Sequence, residues 1–447
     1  MDDLRELFEL TAALAADFYE TLPDRPVYPR ATVAELHAAL SAPLPERGLP
    51  ARTVIAELAA AADPGLVAEA SGRYFGFVIG GAVPASIAAD WLTSTWDQNA
   101  GLFVGGPSAS IVEQVAGAWL IELLGLPRHA SFGFVTGGQM ATFTALAAAR
   151  HHVLARVGWD VERDGLQGAP KIRVIVGAKR HGTVDRALRM LGLGTPTELV
   201  PADSEGRMLA GELRIGDEPT IVCAQAGEVN TGASDPFHAI ADARDAAPNA
   251  WIHVDGAFGL WAAATETRRH LVDGAERADS WATDAHKWLN VPYDSGLAFT
   301  AHPDSHSASF TARAAYLIFD DDKREQLDWN PEHSRRARLP GLRGDPVTRP
   351  SRDRRNDRAH VCPRKDVRCA PRGDGRGGLE QRRAEPGAVP VPRRRAHRSG
   401  ARRRAGKRGG LDERHGLGRA AGDPHLRLEL ADDRRRRRAD AGRVPRA

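Results

Sequence analysis

Apolar positions recur with helical spacing over residues 3–20 and 51–62, and Pro23, Pro26 and Pro29 break the chain between these segments. The same spacing predicts helices over 84–99 and 108–124, with Ser108 or Ser110 placed to cap the second. The pattern then changes. Short apolar runs at 132–135, 172–176, 220–224, 251–254, 280–283 and 296–300 predict strands. Residues 139–156, 181–191 and 235–246 predict helices between them. This alternation predicts an α/β fold with a mostly parallel sheet. Such sheets bind ligands at the carboxyl ends of their strands, so the turns after the runs are where chemistry is expected.

Composition divides the chain. Its 447 residues carry a formal net charge of +3, but residues 339–447 hold 32 Lys and Arg against 14 Asp and Glu. The first 338 residues hold 29 against 44 and contain every Phe, Trp, Tyr and Ile. An acidic globular body therefore precedes a basic segment too poor in large apolar residues to form a core. Arg404, Lys407 and Arg434 to Arg438 could neutralise phosphates as a nucleic-acid arm. The acidic body and the lack of aromatic stacking platforms in the tail count against that reading. A solvated extension is a second reading. The Arg, Ala, Gly and Pro content favours a third, high-GC DNA read out of frame from near Arg338.

Cys223, Cys362 and Cys369 have neither a disulfide framework nor zinc-ligand spacing, and no metal is expected. The acidic, amphipathic start lacks the basic and apolar regions of a secretory signal. No stretch of about 18 apolar residues is present. A cytoplasmic protein without a membrane span is expected.

The turns carry the candidate chemistry. Thr136-Gly-Gly-Gln139 joins a strand to an Ala-rich helix. Glycines there let backbone N–H groups face an anion at a helix N-terminus, although such a turn is commonly only structural. His181 opens the next helix, either as an ordinary helix-start histidine or as a ring stacked on a ligand. Asp255, in His253-Val-Asp-Gly-Ala257, ends an apolar strand, where a carboxylate is costly unless paired. Lys287, in Asp284-Ala-His-Lys-Trp288, follows another strand. Alone it reads as a surface lysine; shielded from water, it could form a Schiff base. The aromatic residues Tyr74, Phe75, Phe77, Trp91 and Trp96 read as core, with pocket lining as the alternative. Together the turns supply what a pyridoxal phosphate site requires: a phosphate cradle, a stacking imidazole, a carboxylate for the pyridine nitrogen and an amine for the aldehyde.

Over about residues 70–338 the order and spacing of these motifs resemble the group II pyridoxal-phosphate-dependent amino-acid decarboxylases. That group includes the glutamate, aromatic-amino-acid, tyrosine and diaminobutyrate decarboxylases. The resemblance implies a fold type I large domain, of the aspartate-aminotransferase kind, and a homodimer with sites at its interface. It implies that Thr136, Gly137, Gly138 and Gln139 hold the phosphate and that His181 stacks on the ring. Asp255, with Ala257 in its motif, would serve the pyridinium nitrogen. Lys287, flanked by Asp284 and His286, would form the internal aldimine. Asn230 would face the ring hydroxyl, within a Gln225–Gly232 loop that differs from the family's common Gly-Thr-Thr. The implied reaction is decarboxylation of an L-amino acid, with transamination or aldol-type cleavage as alternatives served by the same residues. Ala315-Tyr-Leu317 and Ser334-Arg-Arg-Ala-Arg338 resemble later landmarks of the family. Residues 318–333 contain no tyrosine to act as the family's loop proton donor. The expected organisation is a helical segment 1–70, a cofactor-binding domain 71–310, the start of a truncated region 311–338 and the basic tail 339–447. Where the family has a small C-terminal domain, this chain has that tail, so an inactive product is a further alternative.

Overall fold

The computed structural model describes residues 4–320 and 323–332. Every described residue lies in the unit Met1–Pro371. The tail 339–447, the 334–338 motif, Cys362 and Cys369 lie outside the described residues.

Three helices come first: α1 (Leu4–Thr21), α2 (Val33–Leu40) and α3 (Ala51–Ala62). Thr32 caps α2 in a reciprocal box with Glu35. Then come α4 (Pro84–Trp96) and α5 (Pro107–Leu124). Neither Ser108 nor Ser110 caps α5. Pro107, with its preset φ, takes the first helical position, Gly106 is the cap residue, and the Ser110 hydroxyl is buried without a partner.

The body alternates as its sequence predicts: β1 (Ser131–Val135), α6 (Gly138–Ala155), α7 (Val161–Asp164), β2 (Arg173–Gly177), α8 (Gly182–Met190) and β3 (Glu198–Val200). It continues through β4 (Thr220–Gln225), α9 (Phe237–Asp245), β5 (Ala250–Asp255), β6 (Ser280–Asp284), α10 (Ala285–Trp288), β7 (Gly296–Thr300) and α11 (Pro303–Ala308). The seven strands form one sheet in the order β1-β7-β6-β5-β4-β2-β3. β2 to β6 run parallel, and β7 is antiparallel to both of its neighbours.

Alternate residues feed two buried clusters. Ile175, Val222 and Ile252 join one with Leu120, Phe134 and Trp281; Val174, Val176, Ile221 and Trp251 join the other with Leu146, Val153 and Leu188. Burial on both faces explains why β4 reads as an unbroken apolar run. Because β7 opposes β1 and β6 alike, Val135 and Asp284 both pair with Gly296. That register sets the turns after β1 and β6 side by side. A Cβ on Gly296 would lie 2.3 Å from the Gly137 carbonyl carbon, so a residue without a side chain is required there.

The segment 323–332 returns to the β1 edge. Arg324 donates to Glu113 Oε1 at 2.6 Å and to the Phe132 carbonyl, with its guanidinium 4.2 Å from the Phe132 ring centroid. Gln326 donates to Glu113 Oε2 at 2.6 Å. Gly133 faces the Trp329 carbonyl so closely that a Cβ would collide with it. Among the described residues no helix is long and apolar enough to cross a membrane.

Candidate active site

Four turns meet at the carboxyl edge of β1, β2, β5 and β6. At the first, the Gly138 N–H donates to Asp284 Oδ1. Thr136 gives its N–H to Glu332 Oε2 at 3.2 Å and its hydroxyl proton to Glu332 Oε1 at 2.9 Å. Gln139 donates from Nε2 to the Thr183 carbonyl at 3.3 Å, tying the start of α6 to that of α8. Gly137 lies beside the Asp284 carboxylate, where an added Cβ would be 3.8 Å from Oδ1.

His181 is the cap residue of α8 and its ring is exposed. Its Nδ1 accepts from the Thr183 N–H at 3.3 Å, which places the proton of a neutral ring on Nε2. The Thr183 hydroxyl lies 3.0 Å from that Nδ1 and 3.4 Å from Asp255 Oδ2. Asp255 is only 6% exposed at the end of β5, and its Oδ1 accepts from the Ala257 N–H at 3.3 Å. Two residues earlier on that strand, His253 is fully buried against Ser280 Oγ; burial lowers its pKa to about 4, so it is neutral.

After β6, Lys287 Nζ lies 3.5 Å from Asp284 Oδ2 with its side chain only 20% exposed. It is not a surface lysine. His286 Nδ1 lies 3.7 Å from Asp284 Oδ1, and its ring packs on Tyr293 at 4.2 Å between centroids. Burial pushes the Asp284 carboxyl above the ordinary carboxylate range, against the pull of His286, Lys287 and the Gly138 amide. Burial likewise lowers the pKa of His286. Trp288 packs on Phe258 with ring centroids 5.5 Å apart.

The structure thus gathers Thr136, Gly137, Gly138, Gln139, His181, Asp255, Ala257, Asp284, His286 and Lys287 at one edge. Asn230 is placed differently. It is exposed, its side-chain amide donates to Glu228 Oε1 at 2.6 Å, and its N–H donates to Glu228 Oε2 at 2.8 Å. Asp235, just before α9, is buried and accepts from the Met208 and Gln225 N–H groups, both at 2.7 Å. The aromatic segment is not core either, since Phe75 and Phe77 are 89% and 85% exposed. Thr183 and Glu332 escape sequence reasoning. A hydroxyl two residues after a helix-opening histidine is the signal for Thr183; Glu332 has no local signal.

The pyridoxal-dependent decarboxylase conserved domain matches residues 34–339. Tryptophan decarboxylase 1 of Oryza sativa subsp. japonica is 29% identical over 341 residues, covering 71% of this chain and 65% of that protein. The L-2,4-diaminobutyrate decarboxylase of Rhizobium meliloti is 34% identical over 248 residues, covering 53% and 46%. The crystal structure of Oryza sativa TDC with PLP and tryptamine superposes with a TM-score of 0.68 at 25% identity, covering 75% of this chain and 72% of that one. The chain spans about half to two thirds of the length of the curated relatives it matches. The domain match spans more than half of the chain, and this chain belongs to the pyridoxal-dependent decarboxylase family.

Proposed function

We propose that the chain binds pyridoxal 5'-phosphate at this edge and removes the α-carboxyl group of an L-amino acid. The observation that carries the reading is the pair of strand ends. Asp255 and Asp284 close the adjacent parallel strands β5 and β6, one joined through Thr183 to an exposed imidazole and the other to the shielded Lys287. The residues present fit the cofactor. Asp255 is a buried carboxylate that accepts only from a hydroxyl and an amide, with no Lys, Arg or His in ion pair with it among the described residues. A protonated pyridine nitrogen supplies the missing cation.

When bound, pyridoxal phosphate supplies the aldehyde and an electron-accepting ring. The chain supplies placement. Asp255 holds a proton on the ring nitrogen. The His181 ring, fixed in rotation by the Thr183 N–H, offers a flat face for stacking. Lys287, shielded beside Asp284, would hold the cofactor through its amine. Gly138 and Gln139, at the start of α6, face the phosphate with the positive end of the helix. The same residues serve transamination, because the outcome depends on which substrate bond is held perpendicular to the ring.

The first experiment is to load the full chain with pyridoxal phosphate, reduce with borohydride and map the modified peptide. The label is expected on Lys287 and absent in Lys287→Ala. A label elsewhere sinks the assignment. A panel of L-amino acids then separates the reactions, since decarboxylation releases CO2 and transamination a keto acid.

The same proposal includes a second copy of this chain as partner and a cytoplasmic location. The first is supported by the apolar side chains Phe75, Phe77, Trp96, Val104 and Ile111, all about half exposed or more. Sedimentation of the full chain tests it, and fractionation of expressing cells tests the second. The division into 1–70, 71–310 and 311–338 stays a proposal that limited proteolysis can test.

A further inference from the structure

Gly138 opens α6, and its amide proton is given to Asp284 Oδ1. The approach is so close that a Cβ on Gly138 would come within 2.7 Å of Asp284 Oδ2. Asp284 is 5% exposed, so its carboxylate has little water to turn to. A phosphate at the same helix start needs the same N–H. Two anions cannot both accept it, and in a buried site their repulsion is weakly screened.

We propose that Asp284 is an internal competitor for the cofactor's phosphate, and that binding the cofactor therefore draws a proton from solvent onto the Asp284 carboxyl. This rests on the pyridoxal phosphate reading above. The carboxylate accepts one solvent proton and changes from acceptor to donor. The Gly138 N–H is released to the phosphate, and the new acid O–H can donate to a phosphate oxygen rather than repel it. No bond other than O–H forms or breaks.

The groups around Asp284 define the competition. On its own turn, His286 and Lys287 favour the ionised form. From β5, Asp255 opposes it. Tyr293 and Asp294 approach from the far side through His286, and Glu332 binds the neighbouring Thr136. Burial already raises the Asp284 pKa, in the same direction as a neighbouring phosphate would. The sign follows: the carboxyl is harder to ionise beside phosphate than without it, so binding takes up a proton and affinity falls as pH rises.

The test compares the full chain with Asp284→Asn, which keeps the shape and cannot ionise. Dissociation constants for pyridoxal phosphate and for pyridoxal, which lacks the phosphate, are measured by tryptophan fluorescence from about pH 6 to about pH 8.5. The wild-type to variant ratio is expected to grow at least about tenfold across that range for pyridoxal phosphate and to stay flat for pyridoxal. A flat ratio for both ligands overturns the proposal while leaving the cofactor reading intact. Growth for pyridoxal as well overturns it too, because the phosphate would not be the competitor. If the variant does not fold, calorimetry of the wild type in two buffers of different protonation enthalpy decides. Proton uptake near pH 8 must be larger with pyridoxal phosphate than with pyridoxal. Failure of the wild type to bind pyridoxal phosphate overturns both readings.

Discussion

Helices α1 and α6 are each 18 residues long, yet they belong to different kinds of structure. Ten residues of α6 are buried, among them Ala145, Leu146, Ala148 and Leu154, and the helix packs against the sheet. None of α1 is buried, nor any residue of α2 or α3; Leu4 and Phe8 stand more than half exposed. The apolar positions of α1 are at most partly covered by the described residues. Apolar periodicity reports that a face is covered, without saying by whom. The sheet covers α6, whereas the described residues leave α1 partly open.

Four experiments press on that contrast, from the largest expected effect to the smallest. Leu146→Ala is expected to cost about 3–5 kcal/mol of unfolding free energy in denaturant titration, as for other fully buried leucines. A loss under about 1 kcal/mol would mean that α6 is not the core helix described.

Acid should act on the same body. His152, His253 and His306 are held by burial at about 4, about 4 and about 3, below the unfolded value of about 6.5. Below about pH 6.5 the unfolded chain therefore binds protons that the folded chain refuses, and stability falls as pH falls. Asp235, pushed up to about 6 by burial, works the other way below that value. The histidines outnumber it, so the folding constant should drop at least about tenfold per pH unit between about pH 6 and about pH 4. Thermal melts that stay level over this range would contradict the buried-histidine assignment.

At the site, Thr183→Val removes the hydroxyl facing Asp255 Oδ2 while keeping the side chain's shape. The dissociation constant for pyridoxal phosphate is expected to rise about tenfold, with Thr183→Ser restoring it to within about threefold. Equal losses in both variants would reduce Thr183 to a packing residue. The smallest effect is expected from Phe8→Ala, within about 0.5 kcal/mol for the isolated subunit. Its sedimentation profile should nevertheless shift toward monomer on dilution. An unchanged profile together with a large loss of stability would reverse the reading of α1.

Legibility in the sequence followed the same division. The central strands could be placed because burial on both faces leaves continuous runs such as those of β2 and β4. The direction of β7 could not, since apolar periodicity has no sign along the chain. β3 spans three residues, Glu198–Val200, too short to carry a pattern. Asp255 and Lys287 stood out because charged groups at strand ends need a reason to be there. Thr183 did not, because its hydroxyl reads like any helix-start threonine. Glu332 was out of reach: its partner Thr136 lies 196 residues away, and only the fold brings them together. The aromatic segment around Phe75 and Phe77 misled for the reason α1 instructs. Large apolar side chains imply a cover, and the described residues do not provide one for these two.

The return of residues 323–332 to the β1 edge bears on where the protein can be shortened. Arg324 and Gln326 hold Glu113 of α5, and Glu332 holds Thr136 at the mouth of the site. A stop placed before Arg324 would leave Glu113 buried without these two partners and free the Thr136 turn. A stop just after Glu332 would keep every one of those bonds. Three polar side chains therefore set a threshold within 323–332, and a protein engineer trimming through that segment should expect an abrupt loss of stability rather than a gradual decline.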